Sequence, residues 1–289
     1  ESVTYVIQRA ESLMGLFYLL TFYGFIRGVE SGKAGWHGLA VGACVLGMGS
    51  KEVMVSAPLM VWLYDRTFVA GSFRGALRAR WRVYLGLGCS WLVLIYLVSR
   101  TGELGSERAG FHTAVSWGSY GLTQLWAVAH YLWLSVWPQP LVFDYGTMLV
   151  RGAAQAAPRA MVVGLLVVGT AVSLWRWPAM GFFGCWFLGI LAPTSSVVVL
   201  VGQTVAEHRM YLSLGGGVRV GVRGLYGGGG WRSLVLFLAL AVGLGLLTSQ
   251  RNEDYRSELA IWSDTVAKQP DNARAHNSLG LALFHQGRV

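Results

Sequence analysis

Residues 181–212 read GFFGCWFLGILAPTSSVVVLVGQTVAEHRMYL. The first part, 181–201, is almost entirely apolar and holds no Asp, Glu, Lys or Arg, which is the composition of a segment that lies in lipid. Three adjacent ionisable residues, Glu207, His208 and Arg209, follow soon after it. Charges this close to a bilayer are costly, so they are usually paired, solvated or functional. The stretch therefore predicts a membrane protein with a polar site near the end of an apolar segment.

The composition of the whole chain also favours a membrane protein. Of its 289 residues 54% are hydrophobic and 13% are charged, whereas a soluble domain carries roughly 25% charged residues. Thirteen Trp and twelve Tyr suit the membrane interface, and 39 Gly suit close helix packing in lipid. The net charge of +9 comes from loops between apolar runs, so the positive-inside rule explains it better than binding to nucleic acid. The spacing of Cys44, Cys89 and Cys185 fits no metal site.

Apolar runs long enough to cross or half cross a bilayer recur along the chain. They cover residues 13–26, 36–49, 53–64, 83–98, 118–137, 161–175, 181–201, 210–226 and 231–248. We therefore predict an all-α fold, in which residues 1–249 form a polytopic transmembrane helical bundle.

Positive residues mark one side of this predicted bundle. They lie after the first run, after the third, between the sixth and seventh, and around the glycine-rich GLYGGGG at 224–230: Arg27, Lys33, Arg66, Arg74, Arg78, Arg80, Arg82, Arg176, Arg219, Arg223 and Arg232. The positive-inside rule places this side in the cytoplasm. Segments 1–11, 51–52, 100–117, 139–159, 194–209 and the part after residue 249 then face the other side. Run 118–137 has both flanks there, so we expect a re-entrant or interfacial helix; if it crosses, every later loop changes side.

The polar segment 250–289 has a different character. Within it, PDNARAHNSLGLALFHQG at 270–287 matches the tetratricopeptide repeat pattern: Pro270 closes one helix pair and Gly287 ends the next helix. The spaced core positions of that helix are His276, Leu279, Gly280 and Leu283, and Trp262 is expected to pack from the preceding helix. We expect further repeats after it, because one repeat cannot bury its own face. The alternative is a generic amphipathic helical tail.

Separated polar residues are expected to meet on the non-cytoplasmic face of the bundle. They are Arg9, Glu11, Lys51, Glu52, Asp144, Tyr145, Glu207, His208 and Arg209. Arg and Lys suit a phosphate, carboxylates can orient or deprotonate a hydroxyl, and His can do either. Each residue alone has a structural alternative, such as an ion pair between Glu207 and Arg209. His37, His112 and His130 have no comparable neighbours in the sequence and are interpreted as structural or interfacial.

Four segments, in this order, carry a resemblance to a known family. They are ESVTYVIQRAESLMGLFYLLTFYGFIRG (1–28), SKEVMVSAPLMVWLYDR (50–66), QLWAVAHYLWLSVWPQPLVFDYG (124–146) and AEHRMYLSLGG (206–216). Followed by a repeat-like segment, they resemble the transmembrane O-mannosyltransferases with tetratricopeptide repeats and their bacterial relatives, which are GT-C glycosyltransferases. The resemblance covers essentially the whole chain.

The resemblance implies a multi-pass enzyme of the endoplasmic reticulum membrane or the bacterial inner membrane. Such an enzyme takes mannose or another hexose from a polyprenyl or dolichyl phosphate carrier and places it on a protein Ser or Thr, with or without a divalent metal. The reaction takes place on the luminal or periplasmic side. The tetratricopeptide repeats, here residues 250–289, would face the same side and present acceptor proteins.

The resemblance also assigns expected roles to residues of this chain. The family's catalytic acidic motif is expected before residue 1, so this fragment is expected to be inactive alone. The expected ligands of the carrier phosphate are Arg9, Lys51, His208, Arg209 and Tyr211, and the expected supporting carboxylates are Glu11, Glu52 and Glu207. A membrane-anchored repeat scaffold without catalysis is the alternative. A transporter would predict inverted repeats, which the sequence does not show.

Overall fold

The computed structural model describes residues 9–105, 117–150, 152–193, 205–215 and 231–287. Regular structure in these ranges is helical, without a β-strand. The α-helices are α1 (Arg9–Ser31), α2 (Ala34–Met48), α3 (Ala57–Phe68), α4 (Phe73–Gly105), α5 (Trp117–Val136), α6 (Ala153–Arg176), α7 (Pro178–Ala192), α8 (Trp231–Asp254), α9 (Glu258–Lys268) and α10 (Ala273–His285). Short 3-10 turns form at Glu52–Ser56 and Glu207–Arg209, and residues 210–215 are helical.

Within the described residues, four helices are long and apolar enough to cross a membrane. They lie within α1, α4, α6 and α8, at Ala10–Ser31, Phe73–Arg100, Ala154–Arg176 and Val235–Asp254, whereas α2 and α7 are shorter apolar helices. The predicted all-α class is thus confirmed for the described residues, and the predicted membrane character is supported. Helix α5 does not belong to the four, and its interfacial or re-entrant path stays a prediction. Most of the predicted run 210–226 lies outside the described residues.

Glycine lets the first two helices approach closely. A Cβ added at Gly24 of α1 would lie 2.9 Å from the backbone nitrogen of Ala40 and 2.9 Å from the carbonyl oxygen of Trp36. No side chain larger than hydrogen fits such a gap without moving α2. In lipid, where apolar burial adds little between helices, this close packing is the main source of attraction.

The main core forms around one face of α1. Its buried side chains recur at intervals of three or four residues, as an inward helix face requires: Met14, Tyr18, Phe22 and Phe25. These side chains pack against α2, α3, α4 and α7. A second core cluster joins Tyr131 of α5 to the segments 142–145 and 205–210.

The helix ends gather into two groups. Lys51, just after α2, pairs with Glu11 in the first turn of α1. Arg27 lies 16 residues after Glu11, or about 24 Å along α1 at 1.5 Å per residue, and stacks over Trp36 at the start of α2, 5.7 Å from the ring centre. Arg66, near the end of α3, donates to the carbonyl of Leu174 near the end of α6, at 3.1 Å. We call the end of the bundle with Glu11 and Lys51 the Glu11 end, and the opposite end, with Arg27 and Arg66, the arginine-rich end.

A helical hairpin closes the described chain. Helix α9 begins after Ser257, whose hydroxyl accepts from the Ala260 amide at 3.1 Å. Helix α10 begins after Asn272, whose side-chain oxygen accepts from the amide of Arg274 at 3.1 Å. Gly287, with φ of +66°, follows the last turn of α10, where a positive φ suits glycine. The hairpin agrees locally with the repeat pattern, while the repeat array itself stays a prediction.

Candidate functional site

An ion pair between Glu11 and Lys51 lies at the Glu11 end of the bundle. Glu11 is only 2% exposed, and the Lys51 ammonium donates to its Oε1. The two residues lie 40 positions apart in the sequence, so the packing of α1 against α2 is what brings them together. Burial of either charge alone would be strongly unfavourable. The predicted convergence is therefore observed for this pair of predicted site residues.

Glu52 lies next to this pair, at the edge of an apolar groove. The groove has a volume of about 660 Å³ and lies between α3, α4 and α7. Apart from Glu52 and Ser56, its walls are apolar side chains, among them Val55, Leu59, Leu63, Trp91, Leu94, Val98 and Leu188. The Glu52 carboxylate forms no hydrogen bond or ion pair with any other described residue. The groove thus combines a long apolar surface with one unpaired acid.

Glu207 holds a second polar cluster together. Its Oε1 accepts hydrogen bonds from the Val142 amide at 2.7 Å and from the Tyr145 hydroxyl at 2.8 Å. The Tyr145 oxygen also lies 3.1 Å from Nε2 of His130. Because the phenol O–H of Tyr145 already donates to Glu207, Nε2 of His130 is the donor in its contact with the Tyr145 oxygen. Glu207 therefore anchors the loop 138–150 and, through it, His130 of α5.

The segment 205–215 connects this cluster to α1. The Ala206 amide donates to the Tyr131 hydroxyl at 2.8 Å. Arg209 is 6% exposed, and its guanidinium lies close enough to the Tyr131 hydroxyl for an electrostatic interaction. The ring of Tyr211 lies against α1, where a Cβ at Gly15 would be 3.1 Å from Cε1. Gly15 lies one helical turn after Glu11, so Tyr211 and the Glu11–Lys51 pair share one end of α1.

The predicted site residues thus have different outcomes. The side chains of Arg9 and His208 lie outside the described residues. Asp144, expected at the site, instead forms a two-point ion pair with Arg274 of α10: Nε to Oδ2 is 2.7 Å and the second guanidinium nitrogen to Oδ1 is 2.9 Å. His130, interpreted from the sequence as structural or interfacial, belongs to the Glu207 cluster. No sequence signal marks it, because its partner follows 15 residues later in a loop.

Loop 138–150 also docks on the helical hairpin through other contacts. The side-chain amide of Asn272 donates to the backbone carbonyl of Asp144 at 2.9 Å, and the Lys268 ammonium donates to the backbone carbonyl of Leu141 at 3.0 Å. Phe143 packs edge-on against Trp262 with a ring distance of 5.1 Å. Trp262 is predicted to pack within the repeats, and the ring contact that the structure describes for it is with Phe143 of this loop. The loop contacts Glu207 on one side and the hairpin on the other.

Asp264 of α9 holds the base of the hairpin to α8. Its carboxylate accepts from Lys268 at 2.7 Å and from Arg251 at 2.6 Å. Burial alone would raise the pKa of Asp264, but the hydrogen bonds and charges of these two cations outweigh it and hold the pKa below its ordinary value. Asp264 is therefore ionised and paired at neutral pH.

A third buried polar cluster, not anticipated from the sequence, lies at the arginine-rich end. Arg80 donates two hydrogen bonds of 2.9 Å to Asp65, which is fully buried, and Tyr84 donates to the same carboxylate. The sequence signal is a single acid, Asp65, directly after the apolar run 53–64. The sequence predicts its partner, Arg80, only as a positive residue of a cytoplasmic loop.

Among the residues that the structure describes, no group of three or more His, Cys, Asp or Glu side chains could hold a metal ion. Comparisons of the chain with protein-family models, with curated proteins and with solved structures find no match. The function is therefore argued from the residues of this chain.

Proposed function

We propose that this chain forms the membrane part of a glycosyltransferase. The enzyme would move mannose or another hexose from a polyprenyl or dolichyl phosphate to a Ser or Thr of an acceptor protein, on the luminal or periplasmic side of the membrane. The observation that carries the proposal is the Glu11–Lys51 pair together with an apolar groove whose edge is formed by the next residue, Glu52. A polyprenyl phosphate is an apolar chain that ends in an anion, and this arrangement offers a surface for each part.

The groove suits the apolar part of the carrier. Its volume of about 660 Å³ lies within the range of about 300–1,000 Å³ typical of small-ligand sites. It is contributed mainly by three helices, α3, α4 and α7, and the 3-10 turn Glu52–Ser56 forms its edge.

The cations suit the phosphate. Breaking the glycosyl–phosphate bond leaves additional negative charge on the departing phosphate, and a cation already held in place stabilises that charge as it forms. Lys51 is held by Glu11, and Arg209 is held in the segment whose Tyr211 contacts α1.

The acceptor hydroxyl must lose its proton to a base. In the family that the chain resembles this base belongs to an acidic motif, and we assign that role to no residue of this chain. Glu52 is the predicted supporting carboxylate whose side chain has no partner among the described residues. We assign it a supporting role, which is to orient the acceptor hydroxyl or the sugar at the edge of the groove.

The hairpin α9–α10 is proposed as the start of a tetratricopeptide repeat region that presents acceptor proteins. Its support is the match of 270–287 to the repeat pattern and its attachment to loop 138–150, which also contacts Glu207. An acceptor bound to the repeats would thereby be held on the same end of the bundle as the proposed phosphate site.

The test is carrier binding by the chain in nanodiscs, with a short-chain polyprenyl-phosphate mannose as the probe. The double variant Glu11→Gln with Lys51→Gln removes the cation without leaving a buried charge, and we expect about tenfold weaker binding, or about 1.4 kcal/mol. The matched control is Glu30→Gln with Lys33→Gln, which makes the same charge change at exposed positions. Equal binding by the test variant and the unaltered chain would refute the phosphate assignment.

Catalysis is tested separately on the full-length protein, by transfer of labelled mannose to a Ser/Thr peptide. We expect transfer, reduced at least tenfold by the same double variant. A non-catalytic scaffold is favoured by one observation, since Glu207 and Asp144 both hold loop 138–150 in place. Binding of acceptor proteins without carrier binding or transfer would establish the scaffold instead.

A further inference from the structure

The arginine-rich end of the bundle contains a second cleft, unrelated to the proposed transferase site. It lies between the start of α2 and the start of α4 and has a volume of about 670 Å³. Arg78, Arg82 and His37 line it together with Trp81. The His37 ring is packed against α1, because a Cβ at Gly28 would lie 2.5 Å from it. The cleft thus has a packed wall on one side and exposed cations on the other.

Two guanidinium groups at this cleft have no counter-ion within the described residues. Arg78 and Arg82 are exposed and form no ion pair there, while Arg80 between them is committed to Asp65 by two hydrogen bonds. The nearby acid on α1, Glu30, pairs with Arg27 at 3.2 Å. Both acids of this region are therefore already neutralised, and the cleft keeps an excess of positive charge.

An exposed apolar stripe continues from the cleft along α4. After the kink that the non-helical Arg80 makes in α4, Trp81, Leu85 and Leu92 follow at helical spacings of four and seven residues, and they are 54%, 59% and 64% exposed. Residues spaced in this way lie on one helix face. In a membrane that face contacts acyl chains, and a Trp at its end suits the headgroup level. The cleft and the stripe together offer one surface for an anionic group and another for the chains attached to it.

We infer that this cleft binds the phosphodiester headgroup of an anionic membrane phospholipid. Guanidinium groups hold phosphate oxygens through paired hydrogen bonds, and basic pockets between membrane helices are suited to such headgroups. The lipid is favoured over a free phosphate because the apolar stripe adjoins the cations. The assignment does not depend on the transferase proposal, since the two sites lie at opposite ends of α1.

The test is native mass spectrometry of the detergent-purified chain, titrated with phosphatidylglycerol and, in parallel, with zwitterionic phosphatidylcholine. We expect one saturable phosphatidylglycerol and a preference over phosphatidylcholine of about tenfold or more. The double variant Arg78→Gln with Arg82→Gln removes that preference. Its melting temperature changes little, because both side chains are exposed and form no ion pair among the described residues, and the stacking of Arg82 over Trp81 is a surface contact.

The matched control is Arg74→Gln with Arg176→Gln. Both residues are exposed, neither lines the cleft, and the same two charges are lost. The control keeps the phosphatidylglycerol preference if the cleft is the site. An equal loss of the phosphatidylglycerol preference in both double variants would show that general surface charge binds the lipid, and would overturn the inference. Displacement of the lipid by equimolar glycerol phosphate would also overturn it, by showing a site for a free anion.

Discussion

The Glu11–Lys51 pair offers a direct test of the packing at the proposed site. Replacing Lys51 with Met removes the ammonium but keeps an unbranched side chain, and leaves the carboxylate of Glu11, which is 2% exposed, without this partner. Removing one member of a buried ion pair lowers the free energy of unfolding by about 3–5 kcal/mol, whereas replacing both members with uncharged groups often changes it little. We therefore expect a coupling energy of about 2–4 kcal/mol between Lys51→Met and Glu11→Gln.

The coupling is measured as a double-mutant cycle on the free energy of unfolding in detergent micelles. The exposed pair Arg27–Glu30, with side chains 46% and 59% exposed, is the control, and its cycle should give no more than about 1 kcal/mol. A loss below about 1 kcal/mol for Lys51→Met, together with a coupling no larger than the control, would refute the argument. The buried Glu11 carboxylate would then be stabilised by groups other than Lys51.

Three further expectations concern separate parts of the molecule. Tyr84→Phe removes one donor to the buried Asp65 carboxylate and should lower the free energy of unfolding by about 1.5–3 kcal/mol. Gly24→Leu cannot fit between α1 and α2 and should lower the same quantity by at least about 1–3 kcal/mol; an unchanged value would show that the helices separate freely. Because the folded-state pKa of Asp264 is depressed, its contribution to hairpin stability is present above the unfolded-state pKa and is lost as the pH falls through the folded-state pKa. Asp264→Asn should remove that part of the acid dependence in circular dichroism melts, whereas the exposed control Asp271→Asn should not.

The helices themselves could be predicted from the sequence because each depends on a local pattern. The run 36–49 corresponds to α2 (Ala34–Met48), and the run 53–64 to the 3-10 turn and α3 together. The short break at 50–52 was recognised as a helix boundary, and Lys51 was expected in the polar site for that reason. Apolar length and interruption by charge are read over a few residues, so neither needs knowledge of the packing.

The contacts between segments could be predicted only in part. The Glu11–Lys51 pair was anticipated as convergence on one face, but not as a specific pair. The ion pair between Asp144 and Arg274 joins residues 130 positions apart, and no local pattern encodes such a choice. Asp65 could have been singled out, since an acid beside an apolar run needs a buried partner, but the partner was identifiable only once α3 and α4 were packed together.

Loop 138–150 joins the two parts of the molecule that the sequence separates into membrane bundle and repeat-like segment. On one side the Val142 amide and Tyr145 hydroxyl both bind Glu207, and on the other Asp144 is fixed by Arg274. These contacts lie within four consecutive residues, which span at most about 14 Å even when extended. A movement of the hairpin that keeps the Asp144–Arg274 ion pair would therefore pull on the segment that binds Glu207. The loop forms a continuous set of contacts between the hairpin and the polar cluster, whether the cluster serves sugar transfer or only anchors the repeats.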